Sequence, residues 1–389
     1  MANLSGKYAI VGIGQTKKLG KVPEMSTMAL HLECMKYALD DAGLKKEQID
    51  GFVSNQPLSD PAHVYATQVA HYFGIHPRYC TDLAFGGATP ILMVEHACMA
   101  IEAGLADYVM CVHARSQRTS AQFPKHGKLG GTEVDWTAPF GLVGAPAMHA
   151  FAARRHMHEF GTTSAQLAEV AVSTRYHASL NPTAEMRTPI TVEDVLNSRW
   201  ITEPLHLLDC CLNSDGGGAV IVTTAERAQS LPSQPIYILG FGTNTPHNDF
   251  LEAPSHTTLG GAVSSRMAYQ MAGLGPKDMQ FAEIYDCFTI TTMITLEDYG
   301  FCQKGEGGSF VQGGRIRLGG ELPVNTHGGL LSQAHIEGEL HILEAVEQLR
   351  HQVKPAERQV PNATVGIVSG HGGNLHCHTS LILSNQRPS

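Results

Sequence analysis

The sequence predicts an α/β protein built from two similar halves. Short β-branched runs alternate with segments of helical periodicity such as "TMALHLECMKYALDDAG", and this alternation is typical of mostly parallel sheets covered by helices. The stretch "YAIVGIG" also returns later as "IYILGFG". The offset is 228 residues from Gly12 to Gly240 and 230 from Gly43 to Gly273. Two nearly equal offsets favour a duplicated unit.

A long segment interrupts the first half before its closing strand. It begins with the glycine-rich, polar stretch "SAQFPKHGKLGGTEVDW" and continues with two predicted helices. Long insertions in compact α/β domains usually carry function, although this one could simply decorate the surface or an oligomer contact. We therefore expect three parts: an N-terminal half (1–115 plus 206–232), an inserted lid domain (116–205) and a C-terminal half (233–389).

Composition excludes several classes of function. The chain has 389 residues, of which 16% are charged, and a net charge of −9, so a nucleic-acid partner is not expected. The N-terminus has no signal-like pattern, and no apolar run reaches the roughly 18 residues that a membrane span needs. Nine cysteines without CxxC spacing fit a reduced compartment. The sequence predicts a cytoplasmic protein that does not bind membranes.

Four polar or glycine-rich stretches are expected at strand ends, where α/β sheets form ligand sites. They are "AFGGATP", "EIYDCF", "NTHGGLLSQAH" and "SGHGGNLHCH". In the first, a strand turns into a helix whose N-terminus favours anions. The residue presented there should be a nucleophile, but it is Gly87.

The second and third stretches contain acid–base candidates. Tyr285 follows a strand, and a phenol there can act as a general acid or base, or it can simply cap the core. Cys287 can be a nucleophile or a small buried side chain. His335, in the loop after Asn325, can polarise a carbonyl oxygen or carry protons.

The fourth stretch has a spacing that raises the question of a metal site. His371, His376, Cys377 and His378 offer imidazole and thiolate ligands that suit zinc. No HExxH or paired CxxC motif accompanies them, and glycine-rich turns commonly carry histidine. We therefore predict no metal in this chain and treat His371 as a reserve acid–base group.

Taken in order, these motifs resemble the thiolase superfamily. The resemblance is greatest to the branch around the thiolases of sterol carrier protein x and the bacterial thiolase-like lipid-transfer proteins, and it runs over nearly the whole chain. It implies a duplicated αβαβα sandwich of two five-stranded mixed sheets, with an inserted loop domain over the acyl-CoA. It also implies a tight homodimer, a CoA thioester as substrate and no tightly bound cofactor.

Compared position by position with the family, the chain departs from it. Ordinary members have a nucleophilic cysteine at the helix start, and counting back from the glycine that closes that helix places it at Gly87. The "HDCF" motif of the branch becomes "YDCF", which puts Tyr285 in the place of a histidine. The "GHP" histidine corresponds to His335, and the late cysteine falls near His371.

These departures favour aldol chemistry. Thiolysis needs a thiolate to hold the acyl group, whereas retro-aldol cleavage needs a base for the β-hydroxyl proton and donors for the thioester enolate. Some bacterial lipid-transfer members lack the cysteine, carry this tyrosine and act as aldolases, although His335 stands where a second tyrosine is expected. We predict Tyr285 as the base and His335 as the group that binds the thioester oxygen and protonates the enolate. The remaining predicted site residues are Asn325, Gly87, Gly329, Gly372 and Gly373, and the space beside Gly87 is expected to hold substrate.

Two alternatives stay open. One is a β-ketoacyl-CoA thiolase that uses direct CoA attack or a nucleophile from elsewhere, such as Cys287, Cys377 or Cys80. The other is a noncatalytic acyl-CoA-binding subunit. The resemblance also implies a hetero-oligomer with a small partner made of a zinc ribbon and an OB-fold, to which we assign any zinc.

Overall fold

The computed structural model describes residues 4–120, 136–247 and 250–388. Its strands are β1 (Tyr8–Gln15), β2 (Gly51–Asn55), β3 (Tyr79–Leu83), β4 (Val109–Ser116), β5 (Trp200–Thr202), β6 (Leu205–His206), β7 (Asp215–Thr224), β8 (Ile236–Asn244), β9 (Ala282–Glu283), β10 (Val365–Gly372) and β11 (Cys377–Ser384). Its helices are α1 (Thr27–Ala42), α2 (Tyr65–Phe73), α3 (Thr89–Glu102), α4 (Gly144–Phe160), α5 (Ser164–Leu180), α6 (Val192–Asn197), α7 (Ala225–Ala228), α8 (Gly261–Ala272), α9 (Thr289–Asp298), α10 (Gly307–Phe310) and α11 (Glu339–Leu349).

The main sheet joins the two halves. In the described part of the chain it has nine strands in the order β3-β2-β4-β7-β1-β8-β11-β10-β9. The halves meet where β1 pairs antiparallel with β8, for example at Tyr8 and Ile238. The first half contributes five strands and the second four, with a single parallel bridge between Ala282 and Val324 where a fifth would lie.

The two predicted five-stranded mixed sheets are joined edge to edge, and the second half contributes four strands in the described residues. The β1 edge of the first half bonds to the β8 edge of the second over residues 8–10 and 236–238, so the two edges cover each other along this stretch. The strand that would complete the second half is reduced to a bridge.

The duplication itself is confirmed, and glycines explain the repeated motif. A Cβ atom on Gly12 would lie 2.4 Å from a carbonyl oxygen of α1, and one on Gly240 would lie 2.2 Å from a carbonyl oxygen of α8. In both halves, glycine thus lets the first helix pack directly on the first strand. Gly43 and Gly273 end these helices with φ of 67° and 68°, the left-handed conformation that glycine adopts at low cost.

The layers form the predicted αβαβα sandwich. Helices α1 and α2 cover the outer face of the first-half strands, and α8 and α9 cover the second half. Between them, α3 and α11 contact strands of both halves. The central core includes Ile91 of α3, Leu340 of α11, Val220 of β7 and Val368 of β10. The turns that enter α3 and α11 therefore approach each other at the middle of the molecule.

The chain between neighbouring strands β4 and β7 carries α4, α5, α6 and the small sheet β5-β6. This is the region of the predicted insertion, and α5 packs against α9 of the second half. The glycine-rich start of the predicted lid, 121–135, lies outside the described residues, and the boundaries 116–205 stay a prediction. Among the helices of the described ranges, none is both long and apolar enough to span a bilayer.

Candidate active site

Tyr285 lies just beyond β9, and backbone contacts fix its position. Its N–H donates to Ser369 Oγ at 2.8 Å. The side-chain amide of Asn325 bonds both backbone groups of the preceding residue, Ile284. Its Oδ1 accepts from Ile284 N at 2.6 Å, and its Nδ2 donates to Ile284 O at 2.8 Å. Asn325 thus acts on the backbone before Tyr285 and positions the phenol.

The phenol forms a hydrogen bond with the predicted histidine. Tyr285 Oη lies 3.1 Å from His335 Nε2, while His335 Nδ1 lies 3.2 Å from the Leu212 carbonyl oxygen. A carbonyl can only accept, so Nδ1 carries the hydrogen and the neutral ring has its lone pair on Nε2. Tyr285 is therefore the donor in this pair and His335 the acceptor.

Burial keeps both members of this pair neutral. It raises the pKa of Tyr285 well above its ordinary value, with further increases from nearby Cys287 and Glu337. Burial also lowers the pKa of His335 to about 4, and the Arg115 cation contributes to that decrease. At neutral pH the phenol keeps its proton and the imidazole is free to accept one.

A partly buried charged network lies beside His335. Glu337 accepts hydrogen bonds from Arg115 Nη1 and, at 3.0 Å, from His113 Nε2. Burial alone would raise the pKa of Glu337, but Arg115 and His113 hold it well below its usual range. Sequence reasoning missed this network because single residues in β4 and in a loop carry no motif. It missed Cys211 as well, whose Sγ lies 3.4 Å from His335 Nδ1.

The space next to Gly87 is filled by Tyr285. A Cβ atom on Gly87 would lie 2.0 Å from Cε2 of the tyrosine ring and 2.3 Å from its hydroxyl oxygen. The expectation that this space is left for substrate is wrong, because the phenol ring packs against the bare Cα. A side chain at position 87 and Tyr285 in this orientation exclude each other.

A second pair lies two residues further along the chain. Cys287 Sγ is 3.5 Å from Nε2 of His149, whose Nδ1 lies 2.8 Å from the Ala145 carbonyl oxygen. Burial raises the pKa of the thiol well above its usual range and lowers that of His149 to about 4. Sequence reasoning missed His149, one of 21 histidines, because it lies in a helix of the insertion.

The comparisons with known proteins identify the family of the chain. Residues 242–385 match the thiolase C-terminal domain-like family model. A protein of Thermomonospora curvata named steroid side-chain-cleaving aldolase is 37% identical over 369 residues, which cover 90% of this chain and 92% of the relative. The chain belongs to the thiolase superfamily. Its resemblance to the lipid-transfer aldolase branch is confirmed by two further matches.

One is a Mycobacterium tuberculosis protein named 17-hydroxy-3-oxo-4-pregnene-20-carboxyl-CoA lyase, 38% identical over 361 residues, which cover 89% of this chain and 92% of the relative. The other is a solved structure described as an Ltp2-ChsH2(DUF35) aldolase. It superimposes with a TM-score of 0.90 at 35% identity, and all of both chains is covered.

The other predicted glycines of this thiolase-superfamily site have different surroundings. Gly329 packs against Asp286, since a Cβ atom there would lie 2.1 Å from its Oδ2. The backbone N–H of Leu330, next in that turn, donates to Asp286 at 2.7 Å. Gly372 and Gly373 instead lie against the turn that enters α3, because a Cβ atom on Gly86 would be 3.4 Å from Gly373 N and equally far from Gly372 Cα.

The remaining candidates are His371 and three cysteines, and only some of them lie near Tyr285. His371 is in β10 with its ring centroid 5.7 Å from that of Tyr285, so the structure brings it into the site together with Cys287. Cys377 packs against Ala88 and Leu92, and Cys80 packs towards the outer core under α1 and α2. Of the three cysteines considered as nucleophiles, Cys287 is the one placed beside Tyr285.

Proposed function

We propose that this chain is a carbon–carbon lyase that cleaves a β-hydroxyacyl-CoA thioester by a retro-aldol reaction. The products are an aldehyde or ketone and a shortened acyl-CoA. The observation that carries the proposal is the contact between Gly87 and Tyr285: the place of a nucleophilic side chain is taken by a phenol bonded to His335. The names of the two relatives, an aldolase and a CoA lyase, support it.

The Tyr285–His335 pair can carry the proton through the whole reaction. The substrate β-hydroxyl gives its proton to Tyr285 Oη while Tyr285 passes its own to His335 Nε2, and the Cα–Cβ bond breaks to leave a carbonyl product and a thioester enolate. The proton then returns through the pair to the enolate carbon. This relay needs no phenolate beforehand, which fits the raised pKa of Tyr285.

Other side chains support this relay. Asn325 holds the backbone at Ile284, and we assign it a positioning role. The Arg115–Glu337 pair supplies fixed charges near His335, where an imidazolium forms during the reaction. We assign the N–H groups of Gly372 and Gly373 to the enolate oxygen, and His371, which lies outside the relay, stays a reserve acid–base group of the metal-free chain.

Product analysis tests the proposal. The purified chain is incubated with a β-hydroxyacyl-CoA in the absence of free CoA, and products are followed by mass spectrometry. We expect one shortened CoA ester and one free carbonyl compound. A thiolase would instead be established if the matching β-ketoacyl-CoA were cleaved only in the presence of free CoA and gave two CoA esters. Binding of the CoA ester without turnover in any such assay would establish the noncatalytic alternative.

The thiolase alternative has one observation in its favour. Cys287 and His149 have the separation of a nucleophile and its base. The raised pKa of the Cys287 thiol opposes this role, because the thiolate is the reactive form. An acyl adduct on Cys287 in the wild-type chain would favour the thiolase.

We also propose that the chain works in a cytoplasmic assembly, a homodimer that binds a small zinc-ribbon and OB-fold protein. The related solved structure is described as an aldolase of two named components. Strand β3 is a partly exposed edge of the main sheet, and such edges favour pairing with a second chain. Light scattering of the purified chain, alone and after co-expression with the partner, should give two copies of each.

A further inference from the structure

Next to Tyr285 lies a group of three buried side chains that the proton relay does not use. Cys287, His149 and His371 each offer one ligand atom within 4.8 Å of the other two. Their exposed fractions are 6%, 1% and 4%. They come from the strand end after β9, from α4 of the insertion and from β10. Because these elements are distant in sequence, no spacing motif could reveal the group.

We propose that this group binds one divalent transition-metal ion of the zinc type. The ligands are Cys287 Sγ, His149 Nε2 and a ring nitrogen of His371. Zinc prefers thiolate and imidazole in a tetrahedron, with Zn–S of about 2.3 Å and Zn–N of about 2.0 Å, so sulfur and nitrogen ligands lie about 3.5 Å apart. The Cys287 Sγ to His149 Nε2 distance is 3.5 Å.

A hydrogen bond orients the imidazole of His149 for metal binding through Nε2. Its Nδ1–H donates to the Ala145 carbonyl oxygen at 2.8 Å, which leaves the Nε2 lone pair facing the sulfur. A backbone carbonyl that fixes the far nitrogen is the usual support of a metal-binding histidine.

His371 is supported by β11 and the turn before it. Its Nδ1 lies 3.3 Å from His378 Nε2, and its Nε2 accepts from Leu375 N at 3.2 Å. Both nitrogens make hydrogen bonds, so an ion would replace one of them. Two histidines of the stretch "SGHGGNLHCH" therefore take part: His371 is the ligand, and His378 forms a hydrogen bond with it.

The composition of the group suggests what the ion does. A metal ion converts a coordinating thiol to thiolate. The positive charge of the ion would therefore compensate the negative charge of the buried Cys287 thiolate. Three protein ligands leave a fourth position for water or a substrate oxygen, as in catalytic zinc sites. That this oxygen belongs to a CoA thioester or its β-hydroxyl rests on the proposed function, whereas ion binding itself does not.

Cobalt binding tests the site. The full-length chain, treated with a chelator and dialysed, is titrated with Co²⁺ and followed by absorbance, and zinc content after reloading is measured by elemental analysis. We expect one ion per chain and a thiolate-to-Co²⁺ charge-transfer band in the near ultraviolet. Cys287→Ser should remove the band, and His149→Asn should weaken binding by at least about tenfold.

The matched control is Cys302→Ser, which changes a partly buried cysteine outside the group and should keep the band. Circular dichroism establishes that each variant is folded, and if Cys287→Ser is not, the loss of affinity in His149→Asn decides. No band in the wild type, or a band that survives Cys287→Ser, would overturn the site. These measurements use no substrate, so failure of the aldol reaction would leave them unaffected.

Discussion

Two side-chain pairs flank Asp286, and they are built on one plan with different chemistry. In each, the Nδ1–H of a histidine is fixed by a backbone carbonyl and its Nε2 faces a protic side chain: Tyr285 for His335, and Cys287 for His149. The tyrosine pair lies beside the Arg115–Glu337 ion pair and against Gly87. The cysteine pair is joined by a further imidazole, that of His371. We propose that the same hydrogen-bonding plan serves proton transfer in one pair and metal binding in the other.

Removal of the phenol should have the largest effect. Tyr285→Phe keeps the ring beside Gly87 but deletes the hydroxyl that bonds His335, so kcat should fall by at least about 100-fold. Steady-state kinetics on the CoA ester measures it, with Tyr72→Phe, a change at a tyrosine that is 67% exposed, as the control. Unchanged turnover would remove Tyr285 from the relay.

A methyl group at position 87 should be the next most damaging change. In Gly87→Ala the new Cβ would meet the Tyr285 ring at 2.0 Å, so we expect a loss of about 1–3 kcal/mol in the free energy of unfolding, together with reduced turnover. Urea unfolding measures the first effect. Gly275→Ala is the control, since its Cβ would lie no closer than 3.9 Å to a neighbouring atom, Asp278 Oδ2.

A double variant sharpens this test. Combining Gly87→Ala with Tyr285→Ala removes the ring that the methyl group would strike, so the two changes should be strongly non-additive in stability. Additive losses would mean that the two residues do not contact each other in solution.

The acid limb of the kcat/KM profile should lie below the pH at which an ordinary histidine titrates. The relay needs neutral His335, whose pKa is lowered to about 4, so kcat/KM should stay level down to about pH 5. An acid limb near the ordinary histidine value of 6.5 would contradict the lowered pKa of His335.

The free energy of unfolding should also decrease as the pH falls. The unfolded chain binds a proton at His335 near pH 6.5, but the folded chain does so only near 4. This contribution is therefore complete above pH 6.5 and is lost as the pH falls towards 4. His149 acts in the same direction, so Tm should decrease by several degrees across this range.

The smallest effect is expected at the thiol. Incubation of the metal-free chain with acyl-CoA should leave Cys287 unmodified, because burial raises the pKa of its thiol and the thiol form is a poor nucleophile. Peptide mass spectrometry measures the acyl adduct, and alkylation of Cys287 in urea shows that its peptide is detected. A stoichiometric adduct in the folded chain would show that Cys287 acts as a nucleophile, and it would favour the thiolase alternative.

The sequence predicted the elements that repeat or follow local rules. Gly43 and Gly273 end equivalent helices because a left-handed cap is a local requirement, and Tyr285 lies at a strand end as its motif indicated. Contacts formed only by tertiary packing could not be predicted this way. The orientation of the Tyr285 ring against Gly87, the approach of Arg115 to Glu337 and that of His149 to Cys287 each join segments that are far apart in the chain.

The contact between Gly87 and Tyr285 also limits how a nucleophile could be engineered into this cleft. A cysteine placed at position 87 would bring a Cβ atom within 2.0 Å of the Tyr285 ring. A library that introduces cysteine at 87 should therefore randomise position 285 as well, since the cysteine alone would not fit beside the phenol.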